Sequence, residues 1–229
     1  MGPLTALLLA TPLFGLSLNI DPALGDPPAV VADPTFVLAM EVSTELDPPE
    51  PTTADLIRKR NKIKKLHKNF GIATWSAMTL AVVSGFIQFY NKYGWWDSQA
   101  NNPCVTGNAV FGQRQCSGTP TLHLTLGVVT GALYFTTFGL SYAMPDPLNV
   151  SEGNSDFARK LRTHKILRWV TFAGMIAQIG LGIVIANPDW FGIDRANNYN
   201  ALRALATTHL SLGVVTWGAM TWAGSIMIF

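Results

Sequence analysis

The chain contains four histidines, and each stands at the start of a different long apolar stretch. His67 sits in KLHK and His164 in RTHK; His123 opens HLTLGVVT and His209 opens HLSLGVVT. Imidazole is a standard axial ligand of haem iron. Two imidazoles facing one another across a gap would ligate one flat iron porphyrin from both sides. With both axial positions filled, such a site favours electron transfer over oxygen binding. A ring lodged between helices also needs space. Gly71, Gly127 and Gly213 each follow a histidine by four residues, which puts them on the same helical face. Arg168 holds that place after His164, where its guanidinium would suit a haem propionate. Blander readings exist: a histidine at a helix mouth is often an interfacial polar residue, and glycines in spans pack helices together. Those readings require neither one histidine per apolar stretch nor H-x-x-x-G in three of the four.

The elements that would position these residues are membrane spans. Of the 229 residues, 48% are hydrophobic and only 13% charged, against about a quarter charged in soluble domains. Four stretches are nearly charge-free over the roughly 20 residues a bilayer needs: 70–90, 122–144, 169–186 and 206–229. The third is the shortest, and it is expected to begin near Thr163 with its basic residues reaching out to the headgroups. The fold class expected is therefore an all-α integral membrane protein. It is a four-helix transmembrane bundle with two bis-histidine haem sites, preceded by an apolar segment and an extended arm, so that domains run 1–57 and 58–229. Four antiparallel spans in order around a bundle place the first opposite the third and the second opposite the fourth. His67 then faces His164 at one level and His123 faces His209 at another, in a core where facing helices build cofactor sites. Gly85 lies eighteen residues beyond His67, or about 27 Å along a helix, near the level of the second pair. Gly182 lies equally far beyond His164, and both would make room for the second ring. The paired phrases also suggest two related helical hairpins, as parallel repeats about an axis along the membrane normal.

Lysine and arginine placement gives orientation. Seven precede the first span (Arg58, Lys59, Arg60, Lys62, Lys64, Lys65, Lys68) and five precede the third (Arg159, Lys160, Arg162, Lys165, Arg168); the opposite loops hold Lys92, Arg114, Arg195 and Arg203. Twelve against four puts the His67/His164 side in the cytoplasm and the Cys104/Cys116 loop outside, in a membrane such as the bacterial inner one. An oxidising outer compartment makes a Cys104–Cys116 disulfide plausible; two free thiols or a fragment of a metal site are the alternatives.

Around the spans, residues 3–20 resemble a signal h-region without the usual basic n-region, and would be a retained extra span or a surface against a partner. Residues 21–57 are acidic and rich in proline, as expected of a solvated linker or of a docking arm for a basic partner, with FVLAMEV at 36–42 as a short contact. Thr52 or Thr53 can cap a helix whose first turn carries Asp55 and which runs directly into the first span. Tyr90, Tyr93, Trp95 and Trp96 read as an interfacial aromatic belt, and residues 198–208 as a short interfacial helix before the fourth span. The chain ends in that span, so chemistry needing a soluble domain is expected to come from elsewhere.

On the placement of His67, His164, His123 and His209, residues 60–229 resemble the cytochrome b561 family in its broad sense. That resemblance implies a four-helix core holding two b haems, with the first and third helices ligating one iron and the second and fourth the other. It carries no recognisable ascorbate or ferric-chelate motif. The function expected is transmembrane electron transfer through two haem b groups, as a subunit of a redox complex. Electrons would pass from a quinol or other inner-side donor to an outer-side acceptor such as a periplasmic cytochrome. Whether the chain is itself an enzyme stays open. A quinol-oxidising subunit, with Asp97, Asp189 or Asp194 near a haem edge, and a non-redox structural subunit are the rivals. A transporter would need charged residues in mid-span, which are missing, and nothing points to nucleic acid. Membrane lipid is the one partner that composition alone demands.

Overall fold

A computed structural model describes residues 50–116 and 121–228. The apolar stretch 3–20, the arm through residue 49 and Phe229 lie outside the described residues. What is described is helical: α1 (Thr53–Tyr93), the single turn α2 (Pro103–Thr106), α3 (Thr121–Ala143), α4 (Asp156–Ala186) and α5 (Tyr199–Ile228). The four long helices are all long and apolar enough to cross a membrane, so the chain is an integral membrane protein in contact with lipid.

Local chemistry sets the helix ends. Thr52 is the N-cap of α1, its hydroxyl accepting from the Asp55 amide at 3.2 Å while the Asp55 carboxylate accepts from the Thr52 amide, a reciprocal capping box. Gly94, at φ 52°, closes α1 in the left-handed conformation that glycine adopts without a Cβ clash. Ser155 caps α4 by accepting from the Ala158 amide at 3.2 Å, and Asn187–Pro188 stops it. At 41 residues, α1 is about 61 Å long, twice the roughly 30 Å of a hydrocarbon core; its first turns carry the basic residues beyond the bilayer.

Three expectations need correction. The third spanning helix begins at Asp156 rather than near Thr163, because hydropathy registers only the turns that sit in lipid, whereas the capped, charged turns before them are helical too. Residues 199–208 of the expected interfacial helix 198–208 are the first turns of a continuous α5 rather than a separate helix; no glycine or proline interrupts them. Tyr93 is not part of an outward-facing belt: it is buried in a cluster with Phe89, Leu202 and Ala206, while Trp95 and Trp96 remain exposed.

Antiparallel neighbours α1 and α3 pack along each other, as do α4 and α5, and α1 also meets α5. The circuit closes where Phe138 of α3 stacks on Phe172 of α4 at 4.6 Å. The order around the bundle is thus α1, α3, α4, α5, with α1 diagonal to α4 and α3 diagonal to α5. Between the two ends lies a packed layer of Met78, Tyr134 and Met175, flanked by Trp217 and Met220. At the end we call basic, Arg60 pairs with Asp146 and donates to the Pro145 carbonyl at 3.0 Å. At the other, Cys104 and Cys116 are joined by a disulfide. There the buried Asn91 amide exchanges two hydrogen bonds with the Val110 backbone, at 3.0 and 2.8 Å, tying the loop to α1.

Candidate functional site

The diagonals bring the histidines together in twos. His67 and His164 have ring centroids 6.0 Å apart and planes at 80°; His123 and His209 are 6.1 Å apart at 81°. Metal–imidazole bonds of about 2 Å on each side, plus the half-width of each ring, place two trans imidazoles roughly 6 Å apart. Both pairs therefore have the spacing of axial ligands to one ion. Among the described residues no three His, Cys, Asp or Glu side chains converge. Two imidazoles cannot complete a coordination sphere alone, so the donor set suits an ion whose remaining ligands arrive with it, as in a macrocycle.

Hydrogen bonds hold the Nδ1 atoms. His67 Nδ1 lies 3.0 Å from the Thr137 carbonyl and His164 Nδ1 2.9 Å from the Ala223 carbonyl. An acceptor at Nδ1 fixes the tautomer in which Nδ1 carries the proton and Nε2 presents a lone pair to a metal. His123 Nδ1 meets the Ser84 hydroxyl at 3.0 Å, and that hydroxyl donates to the Ala81 carbonyl at 2.9 Å. The Ala81 backbone also bonds the His123 ring. His209 Nδ1 is buried and makes no well-aligned hydrogen bond among the described residues, its neighbour being the Gln178 backbone. Gln178 in turn donates from its side chain to the His209 carbonyl at 2.7 Å.

A periodicity runs beneath these contacts. Seven residues after each histidine stands a threonine, Thr74, Thr130, Thr171 and Thr216, and all four are buried. Eleven residues after stand Met78, Tyr134, Met175 and Met220, which build the central layer. Thr137 and Ala223, the two carbonyl acceptors, each lie fourteen residues beyond the histidine of their own helix. Ala81 and Gln178, whose backbones bond the His123 and His209 rings, stand at the same step on α1 and α4. Seven, eleven and fourteen steps keep one helical face, so a single stripe on each helix carries histidine, hydroxyl, filler and acceptor. Thr74, Thr171 and Thr216 return their hydroxyls to the carbonyl one turn back, at 2.7, 3.0 and 2.8 Å. The buried Thr130 hydroxyl has no partner among the described residues.

The other expected site residues fall around these pairs. A Cβ on Gly71 would sit 3.9 Å from Thr137 Cγ2, and one on Gly213 3.5 Å from the Gln178 side chain; apart from its own helix, Gly127 faces nothing within 4 Å among the described residues. Gly85 and Gly182 do lie level with the His123/His209 pair, but what they adjoin is imidazole: a Cβ would meet His123 Cε1 at 3.1 Å and His209 Cε1 at 3.5 Å. Arg168 lies with its guanidinium carbon 4.5 Å from the Tyr142 ring centre and donates to the Ser141 hydroxyl at 3.3 Å. Its buried Nε finds no acceptor among the described residues, which leaves one directed donor available to an anionic group. Sequence reasoning missed Ser84, Thr137, Gln178 and Ala223. The threonine seven residues after every histidine was the visible sign of a shared interior stripe.

No family model, characterised protein or solved structure shows a significant match to the chain.

Proposed function

We propose that the chain is a transmembrane electron-transfer cytochrome of the b type, resembling the broad cytochrome b561 family, with one haem b on each histidine pair. The observation that carries this reading is the double pairing of imidazoles at 6.0 and 6.1 Å on the two diagonals of the bundle. Haem b, when bound, supplies one-electron redox chemistry. The chain's residues do the rest. His67 and His164 hold the basic-end iron, and His123 and His209 hold the other. The Thr137 and Ala223 carbonyls and the Ser84 hydroxyl orient three of the rings. Gly71, Gly127 and Gly213 withhold side chains beside them, and the free Nε of Arg168 suits a propionate. The central methionine and aromatic layer keeps water out of the space between the levels.

The lysine and arginine asymmetry supports a cytoplasmic basic end and an outward disulfide loop, as in a bacterial inner membrane. On that orientation an inner-side donor such as a quinol and an outer-side acceptor such as a periplasmic cytochrome or a further subunit fit the reading. The test is a reduced-minus-oxidised absorption spectrum of the purified chain with haem quantified per polypeptide. Two low-spin b haems are expected. One haem would make one pair structural, and no haem in a folded, fully loaded preparation would overturn the reading.

A further inference from the structure

The four imidazoles occupy equivalent places in the repeat, yet their Nδ1 atoms are not equally served. Ser84 stands seventeen residues beyond His67 on α1, and the same step from His164 on α4 reaches Leu181. Gly85 and Gly182, one residue further on, hold equivalent places beside His123 and His209. The substitution of leucine for serine therefore falls at the position that, on α1, supplies the hydroxyl to His123. It leaves the His209 Nδ1 buried with the Gln178 backbone but without a well-aligned hydrogen bond among the described residues.

We infer that Ser84 is a positioning residue for His123 and that Leu181 withholds the same service from His209, so that the disulfide-end site has two unequal ligands. This inference rests on the haem-ligating reading above. The Ser84 hydroxyl accepts from the His123 Nδ1–H and donates its own hydrogen bond to the Ala81 carbonyl three residues back. Both ends of the relay are fixed, and the ring holds one tautomer. An imidazole whose N–H is taken by an acceptor donates more strongly to a metal, which favours the oxidised ion. His209 has the Gln178 backbone beside it, as His123 has that of Ala81, but no hydroxyl, and is the weaker donor. At the basic end both rings have carbonyl acceptors, so the inequality belongs to one site only. In the repeat Gln178 takes the place of Ala81, so a hydroxyl at position 181 would find a carbonyl for its own proton three residues back.

The experiment is a potentiometric titration of the full chain in detergent, with the two haems assigned through single histidine variants. Ser84→Ala should raise the midpoint of the disulfide-end haem, Ser84→Thr should restore it, and Leu181→Ser should lower it. In all three the basic-end midpoint should stay in place with two haems per chain. Unmoved midpoints in a two-haem protein would overturn this inference and leave the ligation reading standing, as would a shift shared by both haems. A folded chain without haem would overturn both.

Discussion

The basic-end and disulfide-end histidine pairs share a spacing and a ring angle and differ in how they are held. His67 and His164 each lean on a backbone carbonyl, an acceptor that survives any substitution at its own residue. His123 adds a replaceable hydroxyl to the Ala81 backbone, and His209 has the Gln178 backbone without one. The difference teaches that two pairs of one spacing can be held unequally, by backbone alone at one end and by backbone plus one side chain at the other. The disulfide-end rings are also the ones that glycines adjoin, Gly85 beside His123 and Gly182 beside His209. There close contact works alongside the hydrogen bonds.

The strongest way to break this comparison is to remove ligands. Alanine at His67 or His164 should abolish one haem and leave the other. Alanine at His123 or His209 should do the converse, with haem per chain falling from two to one in a pyridine haemochrome assay. A single variant that empties both levels would show that the sites are not separable. Next in size is crowding at the disulfide end. Gly85→Ala puts a Cβ 3.1 Å from His123 Cε1, tighter than the 3.5 Å that Gly182→Ala makes with His209. Overpacking of this kind costs about 1–3 kcal/mol. Gly85→Ala should therefore distort the disulfide-end low-spin spectrum and lower the thermal midpoint, and Gly182→Ala should do so much less. A third test concerns charge. Arg168→Gln removes a cation that acts on His67 and should lower the basic-end midpoint alone, measured by the same titration. Near-perpendicular ring planes at both pairs predict strongly anisotropic low-spin ferric signals at both ends in electron paramagnetic resonance; a rhombic signal from one end would mark reorientation there. The smallest effect is at the threonines. Thr216→Val gives up a hydrogen bond worth about 1 kcal/mol, whereas Thr130→Val removes a buried hydroxyl with no partner among the described residues and should leave stability unchanged or raise it. Chemical denaturation of the two variants side by side would register the contrast.

The spans, the diagonal pairing of histidines and the Thr52 cap were legible because each depends on side-chain type and spacing along one helix. The level match of Gly85 with the second pair was legible for the same reason, from helical rise alone, although what occupies the space beside it was not. The Thr137 and Ala223 acceptors were not legible at all, since a carbonyl belongs to every residue and only the register between helices selects one. The contrast of Ser84 with Leu181 required that register too. The helical turns before Thr163, and the union of residues 199–208 with the last span, escaped because hydropathy marks where a helix meets lipid rather than where it begins.

The step of fourteen residues from ligand to acceptor has a consequence for assembly. His123 and the Thr137 carbonyl lie on α3, and His209 and the Ala223 carbonyl lie on α5, so each of these helices is engaged at both levels at once. A slide of one residue along either axis displaces it by about 1.5 Å and unseats a ring at one end and a proton acceptor at the other. Neither helix can be adjusted to suit one site without penalising its counterpart, and whatever fastens the first level also sets the gauge for the second.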